Sequence, residues 1–334
     1  MMHALAVQES TAVAEARRRA QALALDLGWK DTDAGRVALV VSELGSNLHK
    51  HAGEGTLIWG QAVPGCLDVL ALDRGRGIPD LAASLRDGYS TAGTAGTGLG
   101  AVGRLADRFD IYTQPGQGTV AAARLWPAGK PPAAGRVRIG AVQIAMPGEE
   151  QCGDGWFFAH RERGALLMLA DGLGHGPLAA DAAHAAIAAC RAHPERGATQ
   201  LLDDIHHALR STRGAAVAVA ELDIAARRLV FAGLGNILGT ICDGGGARRT
   251  VSHNGIAGHQ MRRIQEFSYA LDEGAVLVLQ SDGLATSWNP AAHPGLWSRD
   301  PAVIAGVLYR DHCRGRDDAT VVVVRGIQGE GGPP

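Results

Sequence analysis

The chain has 334 residues, 46% of them hydrophobic, and a formal charge of −2 at neutral pH. That length suits two globular cores rather than one, and a near-neutral chain without a long basic tract gives nucleic-acid binding no electrostatic support. Aromatic residues make up only 4%, so the cores must be built from Ala, Val, Leu and Ile.

Taken in chain order, apolar periodicity predicts a strand over 3–7, helices over 11–27 and 33–51, and strands over 56–62 and 67–73. A helix over 98–106 and strands over 108–113 and 118–125 complete a mixed α/β sandwich, a mainly antiparallel sheet with helices on one face. The segment WPAGKPPAAG (126–135) interrupts helix and strand patterns alike. It separates a first domain, 1–126, from a second, 137–326, through a linker at 127–136, and the tail 327–334 reads as disordered. The second domain reads as strands at 138–145, 155–160 and 165–170, helices at 178–192 and 201–209, and strands at 215–223, 228–233, 238–242, 267–271 and 275–280. A helix at 301–309 and a strand at 319–325 follow, which predicts two sheets covered by helices.

The segment SELGSNLHKHAG places Glu43, Asn47 and His51 four residues apart, on one face of a helix. A carboxylate there can orient an attacking hydroxyl, and an amide oxygen can complete the shell of a magnesium ion held by phosphates. Next, LDVLALDRGRGIPD ends a strand in Asp73, with Gly75 and Gly77 behind it; an acceptor at a strand end can take the exocyclic amine of adenine. The third segment, TAGTAGTGLGAVGRLAD, runs a Gly/Thr loop into a helix, where Gly96, Gly98 and Gly100 let amides approach phosphates. Each segment alone is weak, but the three in this order resemble the GHKL ATPase fold (the Bergerat α/β sandwich) and, in their brevity, its RsbT-type anti-sigma-factor and serine-kinase branch. The resemblance covers nearly all of residues 3–126. It implies ATP with magnesium, Glu43 as catalytic base, Asn47 as magnesium ligand, Asp73 reading adenine in a pocket shaped by Gly75 and Gly77, and a phosphate lid at Gly96, Gly98 and Gly100.

In the second half, acidic residues sit in CGDGW (Asp154), LMLADGLGHG (Asp171), LVLQSDGLA (Asp282) and GRDDATVVVV (Asp317, Asp318), three of these at an end of an apolar strand. A single Asp-Gly pair is a turn signal. Four such segments between apolar strands suit a hard-cation site, where carboxylates converge and a backbone carbonyl also reaches the ion. They resemble the type 2C metal-dependent protein phosphatases, an α-β-β-α sandwich, in the compact SpoIIE and RsbX branch, over about residues 137–326. The resemblance implies two manganese or magnesium ions bridged by Asp171. Asp154 and the Gly172 carbonyl would serve one ion, Asp282 and Asp317 the other, and Asp318 would orient. Many relatives carry a histidine two residues after the bridging Asp; Leu173 stands there, and the resemblance assigns no role to the nearby His175. The segment 252–260, SHNGIAGHQ, reads as a turn, either structural or bordering the site.

Cys66, Cys152, Cys190, Cys242 and Cys313 form no CxxC pair, which points to reduced thiols in a cytoplasmic protein. No leader pattern opens the chain and no apolar run is long enough for a membrane span, so no membrane role is expected. The two resemblances together imply a partner-switching regulator. Its phosphatase would act on a phospho-Ser/Thr STAS-domain antagonist or stressosome-like protein, and its kinase on the same class. The alternative is a phosphatase whose ATP-binding domain only senses nucleotide or docks a partner.

Overall fold

The computed structural model describes residues 2–85, 98–132, 135–243, 246–261 and 264–326. Gly96 and the tail at 327–334 lie outside the described residues. The elements run β1 (Met2–Val7), α1 (Ser10–Asp26), α2 (Asp31–Asn47), β2 (Gly55–Gly60), β3 (Leu67–Leu72), α3 (Leu81–Ser84), α4 (Gly98–Leu105), β4 (Arg108–Gln114) and β5 (Gly118–Leu125). Then come β6 (Val137–Ile144), β7 (Asp154–Arg161), β8 (Gly164–Gly172), α5 (Pro177–Ala192), α6 (Ala198–Ala208), β9 (Ala215–Asp223), β10 (Arg228–Leu234) and β11 (Leu238–Asp243). The last are β12 (Gly246–Arg249), β13 (Glu266–Ala270), β14 (Val276–Gln280), α7 (Pro301–His312) and β15 (Ala319–Gly326). The chain divides into two compact units, one of Met1–Ala133 with Ala302–Arg310, the other of Ala134–Pro301 with Asp311–Pro334.

In the first unit the strands order as β1-β2-β3-β5-β4, every neighbouring pair antiparallel. Alternation decides which side chains face which layer. Leu57, Trp59, Val69, Ala71, Ala121 and Ala123 share one core with the stripe Val13, Ala16, Ala20 and Ala24 of α1 and with Val37, Val40, Val41 and Leu44 of α2. The small side chains of α1, spaced by three and four, let the helix lie close on the sheet. Residues 127–132 do not leave this unit at once: the Ala128 amide donates to Asp33 Oδ2 at 3.0 Å, and Arg36 donates to the Trp126 carbonyl at 3.3 Å.

The opposite residues of the same strands, Ile58, Leu70, Leu72, Val120 and Ala122, are buried as well. Part of the reason is residues 302–310. A Cβ added to Gly306 would lie 2.8 Å from Val120 Cγ1 and 3.1 Å from Leu70 Cδ2, so the helix backbone rests directly on this second face. Residues 301–308 of α7 are buried on every side, as an apolar run with no polar stripe requires. The sheet thus has helix on both faces, where periodicity predicted one.

The second unit holds two five-stranded antiparallel sheets, ordered β13-β10-β9-β8-β7 and β12-β11-β14-β15-β6. Leu166, Met168, Val217 and Val219 pack with Ala182, Ala186, Leu201 and Ile205, so α5 and α6 cover the outer face of the first sheet. Leu167 and Leu169 point the other way and are equally buried. β12 and the single turn α3 are elements the apolar pattern did not predict; the strand is exposed throughout and so carries no apolar signature.

One outcome follows for the first unit. Residues 1–133 made without residues 302–310 should bind a hydrophobic dye and self-associate, because Leu70 and Val120 lose the helix that covers them. A monodisperse, dye-free fragment would contradict this packing.

Candidate functional site

Each unit carries one constellation, and each is built by its own local structure. In the first, α2 is anchored by Val37, Val40, Val41 and Leu44, which turns Glu43 and Asn47 to a half-buried position along the helix. The start of α4 rests on both. A Cβ at Gly98 would lie 3.2 Å from Asn47 Oδ1 and 3.7 Å from Glu43 Oε2, so glycine is what keeps this space clear. Asn47 Nδ2 is buried without a hydrogen-bond partner among the described residues. Gly100 lies two residues further, half-buried within α4. His51 does not join the group. After Asn47 the backbone changes to a π-helical turn at Leu48–Ala52, whose wider spacing ends the four-residue repeat, and His51 is exposed.

Asp73 follows β3 and is held from several sides. Its amide donates to the Thr119 carbonyl at 2.9 Å. Its Oδ1 accepts from the Gly75 amide at 2.8 Å and the Thr119 amide at 3.2 Å, which leaves Oδ2 without a partner among the described residues. Burial pushes the carboxyl above the usual range, and those two amides and the nearby Arg310 pull the other way. The glycines behind it have packing reasons. Gly77 has φ +75°, and a Cβ there would lie 2.6 Å from the Gln114 carbonyl oxygen; a Cβ at Gly75 would lie 3.2 Å from Ala52 Cα. Three residues that motif reading passed over belong to the same corner. Thr113 Oγ1 accepts from the Ile78 amide at 2.8 Å and lies 3.0 Å from Thr119 Oγ1. Gly118, at φ +83°, leaves room for the Asp73 carbonyl, which a Cβ would overlap. Two threonines facing across the β4–β5 hairpin were the available signal.

In the second unit, Asp154 opens β7 and Asp171 nears the end of β8, directly opposite one another in the antiparallel register. Asp282 lies just beyond β14, and Asp317 and Asp318 just before β15. The glycines beside them permit close crossing of backbones: a Cβ at Gly172 would overlap the Ala179 carbonyl, and one at Gly283 the Asp318 carbonyl. Asp318 uses both oxygens on amides, Oδ1 from Met146 at 2.8 Å and Oδ2 from Gly153 at 2.9 Å. Asp317 Oδ1 accepts from the Asp318 amide at 2.9 Å. Ser281 Oγ donates to Asp154 Oδ2 at 2.7 Å, while Asp154 Oδ1 is buried without a partner among the described residues.

Burial pushes the Asp154 and Asp171 carboxyls well above their ordinary range, and repulsion from neighbouring aspartates pushes Asp171 further. Asp282 is raised in the same way, by burial first and Asp317 second. A pocket of about 200 Å³ opens over Asp171, Asp282 and Asp317. Leu173, Asn236, Arg316 and His175 also line it. Asn236 Nδ2 donates to Asp282 Oδ2 at 2.8 Å, and His175 Nδ1 lies 2.6 Å from Glu149 Oε1, which fixes the ring. Asn236 and Glu149 had no motif to mark them, whereas Arg316 stands beside Asp317 inside GRDDATVVVV and its place there was the available signal. The segment 252–260 is pinned to the start of β9, beside the Asp171-bearing β8: the Ala257 and Ala215 amides and carbonyls pair at 2.9 and 3.1 Å, and Ala215 stands opposite Gly172.

The donor set is all oxygen, with one buried carboxylate oxygen unmatched and several carboxylates repelling one another. That fits hard divalent cations. Among the described residues no three acidic, histidine or cysteine side chains already close on one point as an ion cage. Repulsion keeps unneutralised carboxylates apart, so this spacing accords with the weakened acidities of Asp154, Asp171 and Asp282 rather than opposing the cation reading.

Residues 6–124 match the family model of the histidine kinase-like ATPase domain, and residues 161–326 match that of Stage II sporulation protein E (SpoIIE). Serine/threonine-protein kinase RsbT of Bacillus subtilis (strain 168) is 35% identical over 118 residues, 34% of this chain and 88% of RsbT. The chain belongs to the histidine kinase-like ATPase family and carries a SpoIIE domain. For the SpoIIE domain, Phosphoserine phosphatase RsbX of the same organism is 20% identical over 143 residues, 42% of this chain and 72% of RsbX. The solved structure of RsbX in complex with magnesium has a TM-score of 0.51 at 18% identity, covering 57% of this chain and 96% of that one. A structure from work on the bacterial stressosome, described as a modular system adapted to control secondary messenger signalling, reaches a TM-score of 0.53 at 28% identity, over 57% of this chain and 99% of its own. The SpoIIE domain therefore has the type 2C phosphatase fold, and the ATPase domain is RsbT-like.

The weakened acidity of Asp171 has a measurable consequence. A carboxyl whose folded value lies above its unfolded one destabilises the fold once it ionises, so its penalty grows as pH rises above about 4. Asp171→Asn should therefore melt several degrees higher than the parent in chelator at pH 8, with the gap closing towards pH 4. Manganese should raise the melting temperature of the parent and not of the variant. A variant less stable than the parent in chelator would contradict the repulsion account.

Proposed function

We propose that the chain is a bifunctional partner-switching regulator, in which the SpoIIE domain dephosphorylates a phospho-Ser/Thr STAS-domain protein and the ATPase domain phosphorylates the same class of protein. The observation that carries the first half is the Asp154–Asp171 pair, directly opposite in the strand register, with Asp171 lining the pocket and Asp154 buried behind it with an unmatched carboxylate oxygen. Asp171 would hold both of two manganese or magnesium ions, with Asp154 and the Gly172 carbonyl on one and Asp282 and Asp317 on the other. Bound there, such ions supply positive charge to the phosphoryl oxygens and make an attacking water more acidic. The chain's own residues do the rest. Asn236 fixes Asp282, and Asp318 ties the loops at Met146 and Gly153 so that Asp154 keeps its place. Arg316, exposed at the pocket, offers a cation to the incoming phosphoryl group, and Glu149 holds the His175 ring beside it.

The kinase half is supported by Glu43 and Asn47 under the Gly98 backbone, together with the likeness to RsbT. Glu43 would take the proton of the substrate hydroxyl, and Asn47 Oδ1 would face the magnesium of bound ATP. Asp73 Oδ2 would accept from the adenine amine. Gly98 and Gly100 would lie along the phosphates, and Gly96 lies outside the described residues. Among the described residues no helix is long and apolar enough to cross a membrane.

The test uses the full chain, ATP, manganese and magnesium, and candidate STAS-domain proteins. Asn47→Ala should abolish phosphorylation of the partner and leave its dephosphorylation within about threefold of the parent, a change under about 1 kcal/mol in barrier. Asp171→Asn should abolish dephosphorylation and let phosphorylated partner accumulate. If the ATPase domain only senses nucleotide, no variant will accumulate phosphorylated partner and Asn47→Ala will alter the phosphatase rate instead.

A further inference from the structure

We infer that Arg310 is a positioning residue of the nucleotide site in the first unit, fixing the strand end that presents Asp73 to adenine. This rests on the nucleotide reading proposed above and adds a residue that lies outside the ATPase-like sequence altogether. Arg310 stands 237 positions from Asp73 in the chain, yet its Nη1 donates to the Asp73 carbonyl at 3.0 Å. The clasp is reciprocal, because Arg74 Nη2 donates to the Arg310 carbonyl. Residues 302–310 belong to the same compact unit and rest on its sheet through Gly306, so Arg310 is delivered by a packed helix rather than by a loose loop.

Asp73 is thereby held at every atom but one. Its amide is tied to Thr119, its Oδ1 to the amides of Gly75 and Thr119, and its carbonyl to Arg310. Only Oδ2 is left to read a base. An acceptor that discriminates between bases must not swing to meet the wrong one, and it must stay ionised. Arg310 serves both needs. Its fork holds the carbonyl, and its charge opposes the effect of burial on the Asp73 carboxyl. Gly118 leaves room for this carbonyl where a Cβ would overlap it, so the oxygen is free to take the Arg310 hydrogen bond.

The experiment is calorimetric titration of the full-length chain with ATP and with GTP, each with magnesium, for the parent and three variants. Arg310→Ala should weaken ATP about tenfold, the scale of one hydrogen bond to a charged donor, and should narrow the preference for ATP over GTP by a similar factor. Arg310→Lys should recover most of that loss. Arg310→Gln keeps an N–H donor without the charge and should fall between the two; it decides the matter if Arg310→Ala does not fold. A purely structural helix contact would instead lower ATP and GTP binding alike, with no rescue by lysine, and that result would overturn the inference. Unchanged ATP affinity in folded Arg310→Ala or Arg310→Gln would overturn it as well. Failure of the parent itself to bind ATP would remove the nucleotide reading, a distinct result.

Discussion

The second unit depends on a conflict between backbone and charge. Antiparallel pairing sets Asp154 directly opposite Asp171, and like charges so placed repel. The strands pair regardless, because Leu166, Leu167, Met168 and Leu169 between them are fully buried, each contributing on the order of 2 kcal/mol. Apolar burial along the strands therefore imposes a cluster of carboxylates at their ends. A site strained in this way binds what relieves the strain, and for clustered, buried carboxylates that is a cation of high charge density.

The same glycines that read as turn signals turn out to be crossing points. Gly172 passes under the Ala179 carbonyl and Gly283 under that of Asp318, so each of these Asp-Gly pairs joins a carboxylate of the cluster to a position where no side chain fits. This is why the motif was legible: apolar strand, Asp, then Gly is a local pattern, and the proposed chemistry follows from bringing several copies together. What the pattern could not show is the supporting layer. Asn236 reaches the pocket, and Glu149 the His175 ring at its edge, from separate parts of the chain, and no spacing links either to the aspartates.

In the first unit, legibility ended where the helix changed pitch and where the chain came back. Glu43 and Asn47 obey the four-residue repeat because α2 is α-helical to Asn47; His51 departs because the next turn is not. The apolar run 301–308 reads as a buried helix from composition alone, but composition does not say which sheet buries it. Leu70 and Val120 supply the answer by lying against Gly306. The sheet's second apolar face was visible in the continuous run Leu67–Leu72, buried at all six positions, since a strand covered on one side only would alternate. The RsbT-like sequence is thus completed by a helix from within the SpoIIE-matched residues, between the Asp282 and Asp317 segments, and with it comes Arg310.

The central claim is that divalent cations neutralise carboxylates whose acidity the fold has weakened. Titrating manganese into the metal-free chain near neutral pH, in buffers of differing ionisation enthalpy, tests it most directly. The account predicts two ions bound per chain with a net release of protons, because raised carboxyls such as Asp171 must ionise to bind metal. Binding without proton release, or no binding of manganese or magnesium at all, would contradict it.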